Sequence, residues 1–240
     1  AKLDFIKGCL SGAAPVALET IRAWEEATGS TIVELYGLTE TSALATFNPW
    51  RGKTKLGSVG VPVPETDCRI VDLDTGTRDL KLGETGEILI KGPQVTRGYY
   101  NDPEATASIR DGWLATGDIG YLDDEGYLFI VDRKKDVIIA GGYNIYPREV
   151  DEVLYQHPKV QAACVVGIPD AYRGETVKAF VVLKAGQTAT EDEIVAFCRE
   201  RLAAYKVPKF VEFRSELPQT SVGKILRRSL REEEIARGGA

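Results

Sequence analysis

Gly117-Asp118-Ile119-Gly120-Tyr121-Leu122-Asp123-Asp124-Glu125-Gly126-Tyr127-Leu128-Phe129-Ile130-Val131-Asp132-Arg133 is the stretch around which the rest of the chain organises itself. Two apolar-alternating runs flank Asp123-Asp124-Glu125-Gly126, whose short polar side chains and closing glycine suit a tight turn, so a β-hairpin is expected. Pairing outward from Leu122 with Tyr127 places Asp118 opposite Val131 and brings Asp118 and Arg133 out at the same end. A carboxylate and a guanidinium there suit a ribose 2′,3′-diol, because charge-assisted hydrogen bonds are shorter and stronger than neutral ones. A structural Asp–Arg pair at a hairpin mouth reads equally well from spacing alone.

Upstream of this hairpin, from Gly57 onward, short alternating runs recur at 67–71 and 86–90, separated by turn residues such as Asp74-Thr75-Gly76 and Leu82-Gly83. They predict a β-barrel or strongly twisted sheet. Earlier still, Pro15 to Thr28 has the apolar spacing of an amphipathic helix, and Thr31 to Leu35 reads as a strand that delivers Tyr36 into a turn. After Arg133 the pattern changes. A short apolar run at 137–140, a helix at 147–155 with proline in its first turn, and buried strands at 160–168 and 177–183 follow. Thr190 and Glu193 suggest a capping box for a helix to about Leu202, then come a strand at 209–213 and a last helix at 225–235. The fold class expected is mixed α/β and β, a multi-domain α+β chain. Its parts are residues 1–55, a distorted β-barrel at 56–132, and a small α+β domain at 133–240.

With 43% hydrophobic residues the 240-residue chain can bury more than one core. Thirty basic and thirty-six acidic residues give a net charge of -6 without a block of either sign, which argues against a nucleic-acid partner. No apolar run approaches the roughly 18 residues of a membrane span and no leader opens the chain, so a cytoplasmic protein without a transmembrane segment is expected. Cys9, Cys68, Cys164 and Cys198 lie far apart, and free thiols are expected rather than a zinc site or disulfides. His157, in Gln156-His157-Pro158, reads as a surface or capping residue at a helix exit. There is no Met, and the chain enters at Leu3-Asp4-Phe5-Ile6 as though inside a fold under way, which suggests a portion of something longer.

Other groups point to nucleotide chemistry. Tyr36-Gly37-Leu38-Thr39-Glu40 sets a ring that could stack on a base beside a glycine, a hydroxyl and a carboxylate suited to a phosphate and a hard cation. Ser11-Gly12-Ala13-Ala14-Pro15 is a small-residue turn before a helix, where backbone amides could face a nucleotide or simply turn the chain. Gly141-Gly142-Tyr143-Asn144 either turns the chain or lets another molecule pass close to the backbone. Lys224, in the polar loop Leu217 to Ile225, reads by itself as a solvated surface charge.

Taken in order, these segments resemble the adenylate-forming superfamily of acyl-CoA synthetases, luciferases and peptide-synthetase adenylation domains. The resemblance runs from about Leu10 to Arg231. It includes Gly83-Glu84-Thr85-Gly86-Glu87, Gly98-Tyr99-Tyr100, Asp111 to Asp118 and Asp132-Arg133-Lys134-Lys135-Asp136 beside the motifs already quoted. Residues 143–150 and 169–180 look most like bacterial medium- and long-chain fatty-acid CoA ligases. The resemblance implies a fatty acid, ATP with Mg2+, and coenzyme A as reactants, an acyl-adenylate intermediate, and AMP and pyrophosphate as products. A homodimer is compatible with it.

Carried onto this chain, Gly12, Ala13 and Ala14 would border adenine, Tyr36 and Gly37 would meet its ring, and Thr39 would contact the α-phosphate. Glu40 would hold Mg2+, and Asp118 and Arg133 would hold the ribose. Lys224 would bridge carboxylate, ribose and phosphate, Asp132 would be a hinge, and Gly141, Gly142 and Tyr143 would line the thiol path. The family's Ser/Thr/Gly-rich phosphate loop and N-terminal acyl-pocket region are absent from the sequence, so the 240 residues alone are expected to be inactive. Transfer of an amino or aryl acid to a carrier protein, and a non-catalytic interaction module, are the competing readings.

Overall fold

The computed structural model describes residues 5–14, 16, 18–221 and 223–238. Pro15, Leu3, Asp4 and Val222, which figure in the expectations above, lie outside the described residues. By its contacts the chain divides into two units, Ala1–Lys134 and Lys135–Ala240.

The first unit opens with β1 (Cys9–Ser11), helix α1 (Leu18–Thr28), β2 (Ile32–Tyr36), β3 (Thr46–Phe47) and β4 (Val61–Pro62), which pair in sequence order. β1 and β2 run parallel with Ser11 opposite Glu34. Parallel neighbours need a crossover, and α1 supplies it. The helix stops where Gly29 donates its amide to the Glu25 carbonyl at 2.8 Å.

Next come β5 (Asp67–Val71), β6 (Gly86–Lys91), the short helix α2 (Pro103–Thr106), β7 (Ile109–Arg110), β8 (Trp113–Leu122) and β9 (Leu128–Arg133). They form an antiparallel sheet in the order β5-β6-β8, with β7 and β9 both on β8, and the ladder stays open as a half-barrel. Its inner face carries Ile88, Ile90 and Leu128, all at 0% exposure, against Tyr36 of β2 and Ala45 just before β3. Burying each such aliphatic side chain contributes about 1.5–3 kcal/mol, so the two sheets of this unit share one core.

The hairpin register differs from the one read outward from the turn. Tyr127 belongs to the turn, with its amide bound to Asp123 Oδ1 at 2.9 Å. The first pair is therefore Leu122 with Leu128. A bulge between Ile119 and Gly120 then absorbs Val131, and Asp118 faces Arg133 directly. A bulge sets two residues against one, and this one re-aims the hairpin end.

The second unit contains β10 (Ile138–Ala140), β11 (Tyr143–Ile145), α3 (Pro147–Tyr155), β12 (Val160–Asp170), β13 (Gly174–Leu183), α4 (Glu191–Arg199), β14 (Phe210–Phe213) and α5 (Arg227–Ala236). The sheet order is β11-β10-β13-β12, with β14 parallel to β13. The two-residue period of β12 and β13 divides their side chains between two cores. Ala163, Val165, Val177, Ala179 and Val181 meet α3 and α4 on one face. Cys164, Val166, Ile168, Phe180 and Val182 meet Leu217 and Leu230 on the other.

Three local expectations are corrected. Thr190 accepts the Glu193 amide at 3.2 Å, but the Glu193 carboxylate turns to Lys159 at 2.7 Å, and α4 ends at Arg199, short of Leu202. Ile225 pairs with Gln219 in a bridge, so α5 begins only at Arg227. His157 is buried at 3% rather than on the surface, with its ring edge-on to Phe197 at 4.7 Å. All four cysteines are free thiols, Cys164 and Cys198 buried and Cys9 and Cys68 half-buried. Among the described residues no helix is long and apolar enough to cross a membrane.

Candidate functional site

In the first unit, Asp118 stands near the middle of β8. Its amide is held by Thr116 Oγ1 at 3.1 Å, and that hydroxyl in turn donates to the Ile88 carbonyl at 2.8 Å. Arg133, across the ladder, brings Nε to 3.5 Å from Asp118 Oδ1. The other oxygen, Oδ2, accepts the Tyr36 hydroxyl at 2.6 Å. Burial, followed by the charge of Asp118, pushes the Tyr36 phenol far above its ordinary range, so it stays a donor at every physiological pH.

Tyr36 therefore does something that its sequence position did not reveal. Its ring is 8% exposed and belongs to the core with Ile88 and Leu128, which narrows the open stacking platform expected of it. What the geometry offers foremost is an aimed hydroxyl that fixes the Asp118 carboxylate. An oriented carboxylate beside a guanidinium that is 45% exposed can take up a vicinal diol.

Beyond Tyr36 the chain turns sharply. A Cβ on Gly37 would fall 2.2 Å from the Ala43 carbonyl oxygen, so no larger residue fits. Thr39 and Glu40 lie in the following 3-10 turn, Thr39 exposed and Glu40 half-buried. The turn is held by the Thr96 amide on the Glu40 carbonyl at 2.7 Å and by Ser42 Oγ on the Gln94 carbonyl at 2.9 Å. Glu40 Oε1 also accepts the Tyr99 hydroxyl at 2.6 Å, and that bond leads the causes raising the Tyr99 phenol to about 12. Tyr99 was visible in Gly98-Tyr99-Tyr100, but nothing in a separation of 59 residues pointed to Glu40. At the end of β1, Gly12, Ala13 and Ala14 are exposed, with Ala13 at φ 66.

Asp132 lies inside β9, paired with Ile119 and 7% exposed, and its Oδ1 accepts the Arg133 amide at 2.7 Å. The division between units falls after Lys134, whose Nζ is anchored to Glu87 Oε2 at 2.6 Å.

The second unit carries its own two elements. Gly141 at φ 60 and Gly142 at φ 84 make the two-residue turn between β10 and β11, with Ala140 opposite Tyr143. Positive φ at both turn positions is the type I′ requirement that glycine meets without strain. The Gly141 amide donates to the Arg173 carbonyl at 2.8 Å, and Tyr143 stacks on Tyr205 with ring centroids 4.5 Å apart. Lys224 is half-buried at the base of a tight loop, closed by the Thr220 amide on the Lys224 carbonyl at 2.8 Å and by the Lys224 amide on Thr220 Oγ1 at 3.1 Å.

The profile described as AMP-binding enzyme matches residues 1–100, and that described as AMP-binding enzyme C-terminal domain matches residues 149–224. The chain belongs to the AMP-binding enzyme family.

Among curated relatives, this AMP-binding enzyme chain is 58% identical over 233 residues to a long-chain-fatty-acid–CoA ligase of Bacillus subtilis, covering 97% of the chain and 41% of the relative. A long-chain-fatty-acid–CoA ligase of Yersinia pestis is 49% identical over 239 residues, 98% of the chain and 42% of the relative. The chain thus spans about two fifths of the length of these relatives. Among solved structures, ATP-bound MatB from Rhodopseudomonas palustris superposes with a TM-score of 0.89 at 39% identity, over 94% of the chain and 45% of that protein. An anthranilate CoA ligase in complex with anthranoyl-AMP gives 0.88 at 35% identity, over 97% of the chain and 46% of that protein. These superpositions confirm the mixed α/β fold with its half-barrel.

Proposed function

We propose that this AMP-binding enzyme chain is part of an ATP-dependent fatty-acid–CoA ligase. A carboxylate oxygen of the acid attacks the α-phosphorus of ATP, the bond to the β-phosphate oxygen breaks, and pyrophosphate leaves with the acyl-adenylate formed. The thiol sulfur of coenzyme A then attacks the acyl carbon, the bond from that carbon to the phosphate oxygen breaks, AMP leaves, and the thiol proton passes to solvent. In domain terms, residues 1–55 and 56–132 belong to the adenylation domain and 133–240 to a mobile C-terminal domain, with Asp132 at the hinge.

The observation that carries the nucleotide part is the Tyr36 hydroxyl on Asp118, itself directly opposite Arg133. This arrangement suits the ribose diol. Gly12 to Ala14 and the edge of Tyr36 left to solvent border adenine, and Thr39 reaches the α-phosphate. Lys224 meets the charge that develops as the α-phosphorus is attacked. A cation placed in advance for such charge contributes roughly 10²–10³ in rate. Gly141, Gly142 and Tyr143 line the path of the thiol arm.

Glu40 fits a divalent cation of the Mg2+ type. Among the described residues no cluster of three His, Cys, Asp or Glu forms a closed cage. Mg2+ characteristically takes one or two carboxylates and completes its shell with phosphate oxygens and water. When bound, such a cation neutralises charge on the triphosphate.

The long-chain acid is supported by the 58% identity to the Bacillus subtilis ligase. The test is made on the complete protein with a panel of acids. Acid-dependent ATP–pyrophosphate exchange, with thioester formation on free coenzyme A, is expected for long-chain fatty acids. Exchange only with amino or aryl acids, or transfer only to a carrier protein, would overturn the reading.

A further inference from the structure

We infer that Tyr99 is a positioning residue for the Glu40 carboxylate, fixing one oxygen so that the other faces a divalent cation in a single orientation. The inference rests on the assignment of Glu40 to the cation made above. Glu40 is gripped twice by one segment. The Thr96 amide holds its backbone carbonyl at 2.7 Å, and the Tyr99 hydroxyl holds Oε1 at 2.6 Å. An O–H donor to an ionised carboxylate at this separation is in the strong, charge-assisted class.

The donor is itself buttressed. Thr106 Oγ1 accepts the Tyr99 amide at 2.9 Å and donates to the Asp102 carbonyl at 2.7 Å. The Asp102 carboxylate caps α2 by accepting the Ala105 amide at 2.9 Å. A capped helical turn thus stands behind the phenol. Among the described residues Glu40 Oε2 has no hydrogen bond or ion pair. A carboxylate with one oxygen pinned and one open loses rotational freedom before the cation arrives, which lowers the entropy lost on binding. The neighbouring Tyr100 is 94% exposed and serves as the control.

The experiment uses the complete enzyme with Mn2+ as probe and an ATP analogue whose α,β-bridge is methylene, so that nothing turns over. Free Mn2+ is read by electron paramagnetic resonance. Tyr99→Phe is expected to weaken Mn2+ binding about 10-fold, the value of one hydrogen bond to a charged group. AMP affinity without metal and the thermal midpoint should stay at wild-type values. In exchange assays the Mg2+ concentration for half-maximal rate should rise by about the same factor, with the saturating rate retained. Glu40→Ala should weaken Mn2+ further, and Tyr100→Phe should leave it unchanged.

Wild-type Mn2+ binding in Tyr99→Phe with a loss in Glu40→Ala would overturn the inference and leave the Glu40 assignment standing. Wild-type binding in Glu40→Ala would remove the assignment and the inference with it. A fall in metal-free AMP affinity as large as the fall in Mn2+ affinity would make Tyr99 merely structural, and overturn it too.

Discussion

Replacing Tyr36 by phenylalanine keeps the ring and removes only the hydroxyl that reaches Asp118 Oδ2 at 2.6 Å. Both residues are nearly closed to solvent, Tyr36 at 8% and Asp118 at 7%, so water does not readily take the lost donor's place. A hydrogen bond to a charged group in such a setting is worth about 1.5–3 kcal/mol. At about 1.4 kcal/mol per decade, its full value spans roughly 10- to 100-fold in affinity. Part of that loss falls on folding, so the binding loss should lie toward the lower figure. The assay is calorimetric titration of the complete enzyme with AMP and with 2′-deoxy-AMP. The variant should bind AMP about 10-fold more weakly, and the penalty for removing the 2′-hydroxyl should shrink, because an unaimed carboxylate discriminates less. Equal weakening of both ligands, or wild-type affinity for both, would refute the orienting role.

Lys224→Ala should reduce adenylate formation by roughly 10²–10³ while ATP affinity changes little, and equal losses in the exchange and binding assays would contradict that. At Gly142, where φ is 84, leucine would combine bulk with backbone strain. Asparagine tolerates positive φ and is the sharper probe. Gly142→Asn should retain adenylate formation and slow thioester formation about 10-fold or more, and unchanged thioester turnover would remove the role. Burial, assisted by Lys159, Arg201 and Lys184 and opposed by Glu193, holds the His157 imidazole below its ordinary pKa. The unfolded chain then binds the proton more readily. Stability should be fully present above about pH 6.5 and decline as pH falls below it. Because His157 is the one histidine in the chain, urea midpoints measured between about pH 7 and 5 should flatten in His157→Gln. An undiminished slope would contradict this.

The sequence made the elements legible wherever local chemistry set them. Proline opens α3 at Pro147 and the paired glycines turn the chain between β10 and β11, both as the residue types require. The Asp118–Arg133 partnership was legible only in outline. Alternation cannot announce the bulge at Ile119, and the turn residue Tyr127 looks like any strand aromatic, so the counted register missed twice. The two errors add, so the counted register set Val131 rather than Arg133 opposite Asp118. His157 misled because a polar neighbourhood in sequence says nothing of Phe197, 40 residues on and packed against it. Least legible were the hydroxyls of Tyr36 and Tyr99, whose partners lie 82 and 59 residues away. Spacing carries no trace of such pairs.

The nucleotide reading is tested most directly by a crystal structure of the complete enzyme with AMP bound. The ribose 2′- and 3′-hydroxyls are expected within hydrogen-bond distance of the Asp118 carboxylate and the Arg133 guanidinium, with the Tyr36 hydroxyl still on Asp118. A nucleoside seated elsewhere, with Asp118 and Arg133 engaged only with each other, would contradict it.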